Sequence, residues 1–122
     1  MSRKKELTKD ERISKEERRL RRSYKDLPKD KKQVVDGLIR RAAYMRVTLE
    51  DMEVDLDKNG FVEMFTQSEK MEPYERERPV ARLYNTMNKN YQSIIKQLSD
   101  LLPKDEPKEE SDGFEAFVMS RD

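Results

Sequence analysis

The stretch Arg78–Pro103, RPVARLYNTMNKNYQSIIKQLSDLLP, decides the fold of this chain. Its apolar residues recur at alternating intervals of four and three positions, which predicts an amphipathic helix with a heptad seam. Pro79 suits the first helical turn, and Pro103 follows the last seam residue as a stop. A long helix with one narrow apolar stripe requires a partner. The seam consists of Val80, Tyr84, Met87, Tyr91, Ile94, Leu98 and Leu101.

The partner is predicted upstream, in a helix over residues 29–58. Its seam has the same length, and two matched seams separated by a reversal predict a long antiparallel helical hairpin. Such a hairpin would place Arg76, Arg78 and Arg82 beside the acidic C-terminal half of the upstream helix. Gly37 lies inside this helix and would mark a close backbone contact. The seam consists of Val35, Leu38, Ala42, Met45, Leu49, Met52 and Leu56, and the acidic residues are Glu50, Asp51, Glu53, Asp55 and Asp57.

The connection between the two helices, residues 59–78, is long for a helix–helix loop. It begins with Asn59-Gly60, which is a common helix stop. The apolar residues Phe61, Val62, Met64 and Phe65 follow. We expect an irregular lobe or a short β-hairpin.

A second apolar set lies outside the seam of the helix over residues 29–58. It includes Ile39 and three residues predicted to face a neighbouring protomer, which are Tyr44, Val47 and Val54. Because one helical partner cannot cover two faces, we expect the hairpin to pack against copies of itself as a homo-oligomer. Residues 28–103 are therefore the predicted oligomerisation domain.

Residues 1–27 predict a basic helix. Thr8 and Glu11 fit a capping box, and Ile13, Leu20 and Leu27 repeat every seven residues. Residues 1–33 contain 14 Lys or Arg and 7 Asp or Glu, so this end of the chain is a candidate for contacting DNA phosphates. The alternative is a solvated face with pairs such as Glu17–Arg21, and the sequence leaves both open. The candidate DNA-binding residues are Arg12, Lys15, Arg18, Arg19, Arg21, Arg22 and Lys25.

The composition argues against an enzyme. The chain has no Cys and no His, which removes disulfides, thiolate metal sites, the usual general base and the commonest metal ligand. Residues 55–60 match the first half of a calcium-binding loop, but Thr66 occupies the place of the closing Glu, so an acidic helix end is favoured. We expect no catalytic residues, no cofactor and no metal site. The sequence has no 18-residue apolar run and no hydrophobic N-terminal segment, so neither a membrane span nor secretion is expected.

Residues 104–122 form an acidic tail with 3 Lys or Arg and 7 Asp or Glu. Its first half is rich in Pro, Glu and Lys and is predicted to be disordered. The apolar residues Phe114, Phe117 and Val118 follow, which is typical of a docking peptide on a tether. These residues would dock on a partner, fold back onto the hairpin of the same chain, or stay free.

Two runs of this sequence resemble the small terminase subunits of tailed bacteriophages, in their compact helical-hairpin type. They are PYERERPVARLYNTMNKNYQSIIKQLSDLLPK, residues 73–104, and GLIRRAAYMRVTLEDMEVDLDKNG, residues 37–60. The resemblance covers about residues 24–104. It rests on helical organisation and on these runs, with no catalytic motif.

The resemblance implies a ring-forming subunit without enzymatic activity. Such a subunit engages double-stranded phage DNA and regulates the large terminase subunit, which carries the ATPase and the nuclease. It would work in the cytoplasm of the infected bacterial host, and Phe114, Phe117 and Val118 would be candidates for touching the large subunit. The alternatives are a small dimeric coiled-coil DNA-binding regulator and a scaffold with no nucleic-acid partner.

Overall fold

The computed structural model describes residues 6–102, and helices make up 72% of them, which assigns the protein to the all-α class. The predicted disordered tail, residues 104–122, lies outside the described residues, as do residues 1–5 and Pro103. A single 3₁₀ turn, Arg22–Tyr24, extends the first helix. The elements in chain order are α1 (Lys9–Arg21), α2 (Lys29–Asn59), β1 (Val62–Phe65), β2 (Tyr74–Glu77) and α3 (Pro79–Leu101).

The N-terminus of α1 is closed by the capping box that the sequence predicts. The Thr8 hydroxyl accepts a hydrogen bond of 3.1 Å from the Glu11 backbone N–H, and the Glu11 carboxylate accepts one of 2.8 Å from the Thr8 N–H. Two of the four N–H groups that lack partners at a helix start are thereby satisfied. The helix therefore begins at Lys9. It ends at Arg21, six residues before Leu27, the end of the predicted basic helix, because the chain passes into the 3₁₀ turn at Arg22.

The ends of α2 and α3 also follow local sequence signals. Gly60 adopts φ 85°, a left-handed conformation that favours glycine, and its N–H donates to the Leu56 carbonyl at 2.8 Å. Pro79 occupies the first position of α3, as predicted. Gly37 lies on an exposed part of α2, and a Cβ at this position would meet nothing within 4 Å. No close backbone contact within residues 6–102 therefore requires this glycine.

The connection between α2 and α3 contains a small antiparallel sheet. Val62 pairs with Glu77 at one end and Phe65 with Tyr74 at the other. The rings of Phe65 and Tyr74 meet edge to face with centroids 5.9 Å apart, and the Arg76 guanidinium lies 3.6 Å above the Phe65 ring. These contacts between cross-strand neighbours hold a hairpin that has no other strand beside it in the described chain. The short β-hairpin expected in this lobe is present.

The core joins all three helices. Every residue of both predicted seams is at least partly buried. Tyr24 and Leu27 belong to the same buried cluster as Val35 and Leu98, so the N-terminal helix shares its core with α2 and α3. The remaining members of the cluster are Ile39, Ala42 and Ile94.

Helix α1 covers the second apolar face of α2, which corrects one sequence prediction. Val47 is only 2% exposed within the single chain, so it offers no surface to a neighbouring protomer. The start of α1 lies opposite Glu50, and its end lies opposite Asp36. Val54, one heptad beyond Val47, lies past the start of α1 and is 67% exposed. The partner for much of the second face is therefore a segment of the same chain.

The predicted match between the acidic end of α2 and three arginines is only partly realised. Arg78 pairs with Asp55 at 2.9 Å. Arg76 pairs instead with Glu63 across the β-hairpin, and Arg82 lies nearest Glu77. The prediction is wrong for these two because strand pairing and the turn into α3 give them closer carboxylates.

Candidate nucleic-acid interface

The seven cationic residues that the sequence singles out fall into two groups in the structure. Three of them, Arg12, Arg19 and Arg21, form ion pairs within the chain. The other four are exposed and form no salt bridge with any residue between 6 and 102. We call these four residues the basic face, and they are Lys15, Arg18, Arg22 and Lys25.

Arg12 holds the start of α1 against α2. Its two terminal nitrogens donate to the carboxylates of Asp51 at 2.7 Å and Glu50 at 3.0 Å. The hydrogen bond to Asp51, followed by that to Glu50, raises the pKa of Arg12. Because both terminal nitrogens of this guanidinium already donate to carboxylates, few N–H groups remain to bind a phosphate. Arg12 is therefore a structural residue more than a DNA contact.

Arg19 is tied to its own helix by Glu16. The pair is bidentate, with nitrogen–oxygen distances of 2.9 and 2.7 Å. The hydrogen bond from Arg19 lowers the pKa of Glu16. Arg46 of α2 approaches the same carboxylate at 3.9 Å and thereby links the pair to the second helix.

Arg21 holds the end of α1 against the start of α2. It donates two hydrogen bonds to one carboxylate oxygen of Asp36, at 2.6 and 3.0 Å, and it lies 3.2 Å from Glu17. The contact with Glu17 is the i,i+4 pair named from the sequence, and it is confirmed. The hydrogen bond from Arg21 lowers the pKa of Asp36. Arg12 and Arg21 thus fix the two ends of α1.

The basic face runs along the side of α1 that these ion pairs leave free. Its residues follow each other at intervals of three, four and three, which places them on one side of a helix. Lys25, which follows the 3₁₀ turn, lies on the same side as Arg22, because residues three apart lie directly above one another in 3₁₀ geometry. Lys15 and Lys25 are about 15 Å apart along the axis at 1.5 Å per residue. This length is comparable with the major groove of B-DNA, which is about 12 Å wide.

A cationic groove of about 370 Å³ lies beside the basic face, between α1 and α2. Lys15 and Arg22 line it together with the tied residues Arg12 and Arg19. Arg46 completes the lining from α2, and sequence reasoning missed it. The missed signal is its spacing: Arg46 follows the buried Ile39 by seven residues, so both point to the α1 side. Glu16 and Glu50 are the acidic residues of the groove, so cations outnumber anions there.

The remaining predicted interface residues are scattered. Tyr44 is 49% exposed, and the Lys9 ammonium lies 4.9 Å from the centroid of its ring. Val54 is exposed near the β-hairpin, far along α2 from Tyr44. The predicted docking residues Phe114, Phe117 and Val118 lie outside the described residues.

The described residues contain no cluster of metal-ligating side chains. No three Asp or Glu residues between positions 6 and 102 are placed to hold a metal ion. The calcium-like run at residues 55–60 starts inside α2, and the Asp55 carboxylate accepts hydrogen bonds from Asn59 and Arg78. Of the helices described, none combines the length and apolarity needed to cross a membrane.

No family profile, curated protein or solved structure matches this chain. The chemistry available at the candidate site is the binding of anions by exposed ammonium and guanidinium groups.

Proposed function

We propose that this protein is a DNA-packaging adaptor of the terminase small-subunit type. It assembles as a ring, engages phage DNA through its basic face, and regulates the ATPase and nuclease of a large terminase subunit without catalysing a reaction itself. The observation that carries the proposal is the basic face of α1, whose four cations have no carboxylate partner among residues 6–102.

Binding of this kind is driven by phosphates and carries little sequence information. Each cation that neutralises a phosphate releases counterions, so affinity falls as salt rises, with a slope of about 0.9 per contact on logarithmic axes. Lys15 and Arg18 of the basic face lie on α1, which Arg12 and Arg21 attach to α2 at both ends. Arg22 and Lys25 follow in and just after the 3₁₀ turn. Because this backbone is already ordered, binding costs mainly the conformational entropy of the four side chains.

The scaffold in this proposal is an antiparallel hairpin of α2 and α3. Two groups of contacts support it. Near the β-hairpin, Tyr84 donates a hydrogen bond of 2.9 Å to Glu53, and Arg78 pairs with Asp55. At the other end, Leu98 near the end of α3 packs in one cluster with Val35 near the start of α2. The first turns of α3 therefore lie beside the last turns of α2, and the last turns of α3 lie beside the first turns of α2.

Self-association would use the lobe end of the molecule. Among residues 6–102, seven of the ten exposed large apolar residues lie in the β-hairpin lobe or in the helical turns beside it, so this end has the most exposed apolar residues to bury in an assembly. This placement replaces the α2 face around Val47, which α1 occupies. The seven residues are Val54, Phe61, Val62, Met64, Met71, Tyr74 and Leu83.

The DNA contact is tested by reversing the charges of the basic face. The variant carries Lys15→Glu, Arg18→Glu, Arg22→Glu and Lys25→Glu. The matched control reverses four exposed cations elsewhere, with Lys58→Glu, Lys70→Glu, Arg82→Glu and Lys89→Glu, so both variants have the same net charge. Fluorescence anisotropy with labelled duplex DNA is recorded over a range of salt concentrations. We expect the salt slope to fall by about 3–4 in the basic-face variant only. Equal losses in both variants would overturn the proposed contact.

The assembly is tested by native mass spectrometry of the full chain. A closed ring of about eight or more protomers supports the packaging adaptor. A dimer supports the alternative function, a small coiled-coil DNA-binding regulator, which the same basic face would also serve. A monomer at micromolar concentration would overturn both.

Regulation of the large subunit is assigned in this proposal to Phe114, Phe117 and Val118. Deleting residues 104–122 should abolish stimulation of the large subunit's ATPase while duplex binding persists. Full stimulation by the truncated chain would remove this role from the tail.

A further inference from the structure

A second groove lies at the junction of α1 and α2, next to the basic face, and the proposed function assigns no ligand to it. Its volume is about 470 Å³, within the range of about 300–1,000 Å³ that binding clefts occupy. Tyr24, Val35 and Ile39 form the floor of the groove and belong to the core cluster, and they are only 7%, 2% and 1% exposed. The apolar surface that they leave open is therefore small, and the lysine side chains around them add to it. Lys25, Lys29 and Lys32 also line the groove.

The charges around this groove are unequal. Arg21 and Asp36, which also line it, neutralise each other across 2.6 Å. The three lysines are exposed and form no salt bridge with any residue between 6 and 102. Their aliphatic stems extend the apolar lining, while their ammonium groups stay at the rim. An apolar cleft with a cationic rim fits a peptide that combines aromatic and acidic side chains.

The C-terminal segment of the same chain has this chemistry. Residues 104–122 contain 7 acidic and 3 basic residues, opposite in sign to the rim. Phe114 and Phe117 provide the aromatic side chains; Asp112 lies two positions before Phe114, and Glu115 lies between the two phenylalanines. Residues 61–65, FVEMF, also combine two phenylalanines with a glutamate, but Val62–Phe65 is strand β1 of the β-hairpin.

The position of Leu102, the last described residue, places this segment within reach of the groove. Leu102 packs against the same core cluster as Tyr24 and Val35. Phe114 lies twelve positions after Leu102, and an extended chain of that length spans up to about 40 Å. A tether this short gives an effective concentration in the millimolar range, so even a weak contact would be populated.

We propose that residues 112–119 dock in this groove of their own chain. The rings of Phe114 and Phe117 lie against its apolar lining, and Asp112 and Glu115 face the lysine rim. Lys25 belongs both to this rim and to the basic face, so a docked tail competes with phosphates for it. The docking stands on the groove and the tail alone; only its effect on DNA affinity rests on the proposed function.

The docking is tested in the full chain by photo-cross-linking. Phe117 is replaced by p-benzoylphenylalanine, the protein is irradiated without DNA or large subunit, and the cross-linked peptides are mapped by mass spectrometry. We expect cross-links to residues 24–39. Equal mixtures of ¹⁴N and ¹⁵N chains show whether the two linked peptides come from one molecule. Cross-links elsewhere, no cross-links, or links that join chains of different isotope each overturn the proposal.

Two charge variants make the test specific. Lys25→Glu, Lys29→Glu and Lys32→Glu together should abolish the cross-link, whereas Lys58→Glu, Lys70→Glu and Lys89→Glu should preserve it. Circular dichroism must show the same helix content for both. Because the readout contains no DNA, a loss of docking and a loss of DNA binding are seen separately, and either proposal can fail alone. Equal cross-linking in the two variants would overturn the role of the lysine rim.

Discussion

The phenol of Tyr24 donates a hydrogen bond of 2.8 Å to the backbone carbonyl of Leu98, 74 residues later in the chain. Leu98 provides one of the last four carbonyls of α3, which have no partner within the helix. Tyr24 is 7% exposed, and burial raises its pKa, which keeps the hydroxyl protonated as a donor. One side chain thus joins the end of the N-terminal helix to the end of the last helix.

Replacing Tyr24 by Phe should destabilise the protein by about 1–3 kcal/mol, because the buried Leu98 carbonyl loses its donor. Urea unfolding followed by circular dichroism measures the change. Tyr44→Phe is the matched control, since this tyrosine is half exposed, and its effect should stay within about 0.5 kcal/mol. Equal effects of the two variants would show that the hydrogen bond contributes nothing.

Val47 and Val54 should respond oppositely to substitution although they occupy equivalent heptad positions on α2. Val47→Ala opens space in a buried site and should cost about 1–3 kcal/mol without changing the oligomeric mass. Val54→Asp alters an exposed residue at the lobe end, so the unfolding free energy should change by less than about 0.5 kcal/mol while the oligomer weakens. Unfolding and native mass spectrometry on both variants measure this, and an unchanged oligomer in Val54→Asp would remove Val54 from the interface.

Acid should weaken the attachment of α1 to α2. In the folded state, hydrogen bonds from Arg19 and Arg21 lower the pKa values of Glu16 and Asp36 below the ordinary values of 4.5 for Glu and 3.8 for Asp. The stability they add is therefore present above about pH 4.5 and is lost as the pH falls through the folded-state pKa values. Since these side chains are partly exposed, each pair adds only about 0.2–1 kcal/mol.

Asp36→Asn tests this dependence. The difference in unfolding free energy between pH 7 and pH 3 should become smaller in this variant. Asp57→Asn is the control, because Asp57 is exposed and forms no ion pair among the described residues. The interpretation fails if both variants keep the full acid dependence.

Substitution of Arg12 should affect the stability of the fold, whereas substitution of Lys15 should affect DNA binding. Arg12→Gln leaves Glu50 and Asp51 without their shared cation and should lower stability by about 1 kcal/mol. Lys15→Gln removes an exposed cation, so it should leave stability unchanged and lower the salt slope of DNA binding by about 0.9. Urea unfolding and anisotropy titrations on both proteins test the distinction, and the opposite pattern would contradict the division of the cations into two groups.

Local signals in the sequence predicted most of the secondary structure. The capping box at Thr8, the Asn59-Gly60 stop and Pro79 each act within one helical turn, so the boundaries of α1, α2 and α3 could be predicted near those points. The heptad seams predicted which side of α2 and α3 is buried, because the period of a helix depends on neighbouring residues alone. The length of the connection and its apolar residues predicted a lobe there but left open whether it is irregular or a short β-hairpin.

By itself, the sequence determined the presence of the helices, the start of each one, the buried seams of α2 and α3 and the basic character of α1, but not the end of α1 at Arg21. Only the tertiary structure decided that α1 covers Val47 and leaves Val54 exposed. It also decided that Arg12 and Arg21 form ion pairs while Lys15 and Arg22 form none with residues 6–102. Helical periodicity shows that a face is apolar or charged but not which segment covers it. The carboxylates that bind Arg12 lie 38 and 39 residues away, and no local pattern specifies a pairing over that distance.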